Sequence, residues 1–125
     1  MLINMFKSKI HRATITGANV DYEGSVEVDG LLLDAAKIRE FEQVNIWNVT
    51  NGQRLTTYAL RGEEGTGKIS INGAGALLMK SGELCIIATF CQCFPDEADH
   101  HQPTVVLVDA HNKITSIVNK SGGMI

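Results

Sequence analysis

The chain has 125 residues, of which 44% are hydrophobic and 20% charged. That length holds one domain with a core large enough to need no disulfides, and the composition excludes a chain disordered throughout. Eleven basic residues against fourteen acidic ones leave a net charge of -3, which excludes a general polyanion binder, so no nucleic-acid partner is expected. No apolar run reaches the length of a membrane span, so no membrane partner is expected either. The opening Met1-Leu2-Ile3-Asn4-Met5-Phe6-Lys7 is too short and too soon charged for a secretory signal. A cytoplasmic location is therefore expected, with the odd set Cys85, Cys91 and Cys93 as reduced thiols.

No linker, internal repeat or low-complexity stretch divides the chain. Lys7 to Thr16 reads as a strand with an imperfect period of two, Ile10, Ala13 and Ile15 being the apolar positions. Gly17-Ala18-Asn19 interrupts it, and Val20 to Val28 reads as extended again. Asp29 can cap a short helix over Leu31 to Ile38. Val44 to Val49 alternates apolar and polar residues as a half-buried strand does. Asn51-Gly52 then predicts a hairpin turn, with Arg54 to Leu60 as the returning strand. Glu63 to Gly67 is a polar loop, Ile69 to Asn72 a short strand, and Gly73-Ala74-Gly75-Ala76 opens a helical turn through Met79. Strands are predicted over Leu84 to Phe90, Thr104 to Val108 and Ile114 to Val118, and the last residues, 119–125, read as a flexible tail. Many short strands with two short helices make a mainly β domain over residues 1–118, either barrel or sandwich.

Several segments could carry chemistry. In Glu23-Gly24-Ser25, a strained glycine would bring the Ser25 hydroxyl onto the Gly24 carbonyl. Attack there converts the amide to an ester, and elimination breaks the chain, leaving a carbonyl on the new N-terminus. On a regular strand Arg54 and Tyr58 share a face while Thr57 points the other way. A guanidinium matches a carboxylate bidentately, and a tyrosine hydroxyl can protonate a carbanion. The backbone N–H groups after Asn72 could line an anion site, although Gly73 and Gly75 lack the third glycine of a dinucleotide fingerprint. Cys91-x-Cys93 lies near Asp96, Glu97, Asp99, His100 and His101 without the spacing of a structural zinc site. Buried thiols and a solvated acidic loop are expected there, and no metal ligand is assigned.

Together these pieces resemble the pyruvoyl-dependent aspartate 1-decarboxylases, from about Met5 to about Val108. The resemblance is carried by Lys9-Ile10-His11-Arg12, Asp21-Tyr22-Glu23-Gly24-Ser25, Ile46-Trp47-Asn48-Val49-Thr50-Asn51-Gly52, Arg54 with Thr57-Tyr58, and Ile71-Asn72-Gly73-Ala74. Gly75 departs from the more usual alanine, and the match fades after Pro95-Asp96-Glu97. The resemblance implies a double-psi β-barrel with short helices, assembled as a homotetramer with sites between subunits. It implies self-cleavage between Gly24 and Ser25 into a β chain, 1–24, and an α chain, 25–125, headed by a pyruvoyl group made from Ser25. Tyr58 then matches the proton donor, while Lys9 and Arg54 match residues that hold substrate carboxylates. Thr57 matches a substrate-binding residue that also assists cleavage. Asn72, Gly73, Ala74 and Gly75 match the substrate-contacting turn, His11 a residue near the site, and Trp47 a wall of the pocket.

The implied reaction is decarboxylation of L-aspartate to β-alanine through a Schiff base with the pyruvoyl ketone, feeding pantothenate biosynthesis. That ketone would do the work of pyridoxal phosphate, so neither pyridoxal phosphate nor a metal is expected. An acetyltransferase-like maturation factor assists some members of such a family. Other readings are an uncut β-barrel module binding a small anion or a protein partner, a metal-binding domain using the thiols with His100 or His101, and a proenzyme not yet processed.

Overall fold

The computed structural model describes residues 1–119. They form nine strands and three short helical segments. The strands are β1 (Ile3–Thr14), β2 (Gly17–Asn19), β3 (Ser25–Asp29), β4 (Gln43–Asn48), β5 (Arg54–Gly62), β6 (Ile69–Asn72), β7 (Leu84–Cys93), β8 (Thr104–Val108) and β9 (Ile114–Asn119). Helix α1 is Gly30–Ala35, a 3-10 turn follows β6 at Gly73–Leu77, and α2 is Pro95–Ala98. All nine strands belong to one sheet in the order β2-β6-β3-β5-β4-β7-β1-β8-β9. Only Ile15 and Thr16 separate β1 from β2, yet those strands stand six places apart in the sheet. The sheet therefore curves back on itself, an arrangement consistent with a β-barrel.

One row of inward side chains shows how the core forms. Ile10, Ile87, Ile46 and Leu55 lie side by side across β1, β7, β4 and β5. The first three are completely buried, and Leu55 packs against them half-buried. The imperfect period of β1 has a local cause. A register shift falls between Ile10 and Ala13, where Arg12 takes a φ of 57°. That bulge turns Ile10 and Ala13 to the same interior, which strict alternation would forbid.

Four elements differ from the sequence expectation. Val20 to Val28 is not extended throughout: residues 20–24 form an exposed turn, because they must cross the end of β6, and the strand begins only at Ser25. Gly17–Asn19 is a short strand rather than an interruption, because β6 lies parallel beside it and supplies partners. Helix α1 ends at Ala35 rather than Ile38, since Lys37 adopts a φ of 59° and Ile38 donates its N–H back to the Leu33 carbonyl at 2.9 Å. That pattern closes a helix in the left-handed cap geometry, here with lysine where glycine is usual. The stretch expected as a solvated acidic loop contains one helical turn, α2, with Pro95 at its start and Glu97 accepting from the Phe94 N–H at 2.8 Å. Asn119 closes β9, whereas 120–125 of the expected tail lie outside the described residues.

Asp29 caps α1 as its sequence position predicts, and it also ties that helix to the β5–β6 loop. Its carboxylate, 2% exposed, accepts N–H groups from Leu31 (2.8 Å), Gly65 (3.0 Å) and Gly67 (2.8 Å). Burial alone would raise its pKa, but the Gly67, Leu31 and Gly65 N–H groups, helped by Lys113, hold it below the ordinary carboxylate value. A depressed folded pKa contributes stability above the unfolded value, about 4, and that stability is lost as pH falls through the folded value. Asp29→Ala is expected to cost on the order of 3 kcal/mol in chemical denaturation at neutral pH, since it leaves several N–H donors unpaired. Asp29→Asn should show a flatter loss of stability with acidification than the parent chain.

Candidate active site

The Gly24–Ser25 bond lies where an exposed turn enters a buried strand. Residues 21–24 are exposed, and Ser25, the first residue of β3, is 3% exposed. The Ser25 hydroxyl donates to the Glu23 carbonyl at 3.3 Å and accepts from Asn72 Nδ2, also at 3.3 Å. Asn72 is placed there by strand pairing, because it stands opposite Ser25 at the end of β6.

The turn after β6 approaches this bond closely. Gly73 has a φ of +78°, and a Cβ there would lie 2.5 Å from Gly24 Cα and 2.6 Å from Gly24 N. Glycine is needed at 73 on both counts. The conformational freedom expected at Gly24 is instead found at this partner: Gly24 is outside the positive-φ set, and a Cβ on it would meet open space. Gly75 also has a physical reason. A Cβ on it would lie 2.9 Å from Leu55 Cδ2 and 3.1 Å from Ile71 Cγ2, so neighbouring side chains fill the space an alanine methyl would take.

Between these parts is an open cavity of about 290 Å³. Six of the residues singled out from the sequence line it: Gly24, Ser25, Thr57, Asn72, Ala74 and Gly75. Thr57 reaches it because Leu55, Thr57 and Ala59 share the inner side of β5. Leu55, Thr56, Ile71 and Leu78 line it as well and were not singled out. Leu55 shares strand parity with Thr57, the one signal that could have identified it.

Lys9, His11, Trp47, Arg54 and Tyr58 do not line this cavity. Arg54 stacks its guanidinium 4.9 Å from the Trp47 ring centre, the two residues being paired across β4 and β5. Trp47 in turn approaches Phe90, with ring centres 6.5 Å apart. Tyr58 stands opposite Gln43, with the strand parity of Arg54. Lys9 pairs with Ala88, which pairs with Asn45, one step along the same outer rows. Burial lowers the Lys9 pKa, and burial with the charges of Lys9 and Arg12 lowers that of His11. The buried Nδ1 of His11 has no hydrogen-bond partner among the described residues. The residues thus form two groups, one around Ser25 and one on the outside of the sheet.

Gly73→Ala should distort the 21–25 turn, since the added methyl meets Gly24 backbone and alanine disfavours a positive φ by roughly 1–2 kcal/mol. The expected outcome is a chain whose 24–25 bond stays intact, read as one mass under denaturing conditions. Gly24→Ala, with open space at its Cβ, should fold with much less disturbance.

Residues 1–115 match the family model described as aspartate decarboxylase. The chain is similar to the aspartate 1-decarboxylase of Xanthomonas campestris pv. campestris (strain B100), with 54% identity over 92% of this chain and 91% of that protein. It is 52% identical to the aspartate 1-decarboxylase of Xylella fastidiosa (strain M12) over the same shares. The aspartate 1-decarboxylase of Xanthomonas axonopodis pv. citri (strain 306) is 51% identical, again over those shares. The match over residues 1–115 and identities above half along nine-tenths of the chain show that it belongs to the aspartate decarboxylase family.

Proposed function

We propose that this protein decarboxylates L-aspartate to β-alanine and carbon dioxide, supplying pantothenate biosynthesis, and that it is made as a proenzyme cut between Gly24 and Ser25. Family membership over residues 1–115 supports the reaction. The observation that carries the site is the position of Ser25, whose hydroxyl sits beside an exposed scissile bond, is held by Asn72, and opens on the cavity shared with Thr57.

In the cut, Ser25 Oγ adds to the Gly24 carbonyl carbon and the C–N bond breaks, giving an ester. Loss of the Ser25 α proton expels the Gly24 carboxylate, and hydrolysis releases ammonia. Asn72 holds Oγ through its amide, and Thr57 would offer its hydroxyl to the carbonyl oxygen as charge develops there. The chain can tolerate the break. β1 pairs with β7 and β8, and β2 with β6, so the 1–24 piece stays in the sheet without its covalent link.

The residues around Ser25 fit a pyruvoyl group, which is small and needs close backbone, as Gly73, Ala74 and Gly75 provide. When present, that group supplies an electrophilic carbonyl for the substrate amine and a sink for the electron pair left by carbon dioxide. That chemistry calls for neither pyridoxal phosphate nor a catalytic metal. Arg54 and Lys9 hold substrate carboxylates, Tyr58 returns a proton to the α carbon, and Trp47 walls the pocket. Arg54 is suited to its part, because stacking on Trp47 fixes the guanidinium plane and leaves its N–H edge free for a carboxylate.

Neither group of residues makes a complete site alone, and this separation favours a homotetramer of double-psi β-barrels with the site between subunits. His11 lies near that site, and its unpartnered Nδ1 is satisfied there. A cytoplasmic location completes the reading, with maturation either unaided or assisted by an acetyltransferase-like factor. Among the described residues no helix is long and apolar enough to cross a membrane.

The denatured mass of the purified protein tests the cut. Two fragments are expected, the longer one lighter by one ammonia than residues 25–125 with a free serine end. Ser25→Ala should give one intact chain with no activity, and an active uncut variant would overturn the cofactor assignment. The shared site has its own test. Arg54→Ala should raise the aspartate KM strongly, and mixing it with inactive Ser25→Ala subunits should restore part of the activity at an aspartate concentration well below that raised KM. Mixed assemblies with no recovery would place Arg54 and Ser25 in one subunit's site.

A further inference from the structure

The fold brings together three soft donors that the decarboxylation does not use. Cys91 and Cys93 point their sulfurs to the same side of β7, with Sγ atoms 3.9 Å apart. His101 reaches them from the segment between α2 and β8, and the three ligand atoms all lie within 4.8 Å of one another. We propose that Cys91, Cys93 and His101 bind a thiophilic d10 cation of the zinc class, at a structural site separate from the Ser25 cavity. This inference does not depend on the decarboxylase reading.

The distances suit such an ion. Two thiolates on tetrahedral zinc, with bonds of about 2.3 Å, stand about 3.8 Å apart. The sulfurs are already at that separation, and the imidazole has roughly 1 Å to close. The orientation of His101 is also set. Its Nε2 donates to the Phe6 carbonyl at 2.6 Å, which leaves Nδ1 with the lone pair in the neutral ring. A metal-binding histidine commonly gives its other N–H to a backbone carbonyl in this way. Cys93 is 8% exposed while Cys91 and His101 are half-buried, so the site is sheltered yet open to an incoming ion.

Binding displaces two thiol protons to solvent. The resulting centre of one dication, two thiolates and a neutral imidazole carries no net charge, which lowers its cost in a partly buried place. The fourth position falls to water. The ion would join β7 to the α2–β8 segment, and through the Phe6 carbonyl to β1. The thiol spacing Cys-x-Cys is not that of the common zinc motifs, so the third ligand is supplied by folding rather than by sequence neighbourhood.

The test uses the full chain, purified under reductant and stripped with a chelator. Titration with Co²⁺ is expected to give one ion per chain, with a thiolate-to-cobalt charge-transfer band and intense tetrahedral visible bands that Zn²⁺ abolishes. The paired variant Cys91→Ser and Cys93→Ser should lose the band, while Cys85→Ala should keep it. His101→Ala removes a direct ligand and should weaken binding by more than roughly 100-fold, the most that loss of an outer partner costs. The band itself reports thiolate ligation in the parent chain, so the result stands even where a cysteine variant folds poorly. No stoichiometric uptake by the reduced parent chain, or a band that survives the paired variant, would overturn the site.

Discussion

The rest of the fold depends on the way Ile15 and Thr16 carry the chain from β1 to β2. These residues take the polypeptide from the seventh strand position to the first, and they do so with their backbone satisfied. The Ile15 N–H bonds to the Glu83 carbonyl at 2.9 Å, and its carbonyl accepts from Gly82 at 2.7 Å. Thr16 bonds to Ile69 through its N–H at 2.8 Å, and its hydroxyl also accepts from the Ile69 N–H at 2.9 Å. Asn112 reinforces the closure from the β8–β9 turn. Its amide bridges Thr14, in both directions at 2.8 Å, and the Gly67 carbonyl at 2.8 Å.

That closure places the Ser25 cavity. Because β2 and β3 both flank β6, the turn from β2 to β3 must pass over the end of β6, where Asn72 and Gly73 stand. The exposed 21–24 segment and the 3-10 turn are therefore in contact by topology. Gly73 makes the contact possible, and Asn72 converts it into a hydrogen bond on Ser25 Oγ.

Much of this was legible in the residues, and the misreadings have a common origin. Asn51-Gly52 declared its turn locally, and Gly52 has the φ of +78° that such a turn requires. Asp29 declared its cap, though not its bonds to Gly65 and Gly67, which come from a loop 36 and 38 residues away. The end of α1 was hidden because lysine at position 37 gives no sign of a left-handed conformation. β2 was hidden because a three-residue strand has no period, and its existence rests on β6. The departure at Gly75 was visible in the sequence without its reason, which is that Leu55 and Ile71 occupy the space a Cβ would take. The thiols of Cys91 and Cys93 were visible as a pair, but His101 joins them only after α2 returns the chain to β1.

The division of the candidate site into two groups follows from the period of a single strand. On β5, Leu55 and Thr57 face inward, while Arg54 lies over Trp47 outside. Side chains on opposite faces of one strand point away from each other, and no rotamer change brings an outer guanidinium through the sheet to an inner threonine. The proposed site between subunits rests on this separation, since two copies of β5 could present one face each. Among the described residues the outer face holds Arg54 without a salt-bridge partner, a partly desolvated Lys9 and an orphaned His11 Nδ1. Of these, the buried His11 Nδ1 is the group whose missing partner is costly, and under the proposed assembly a second chain would supply that partner.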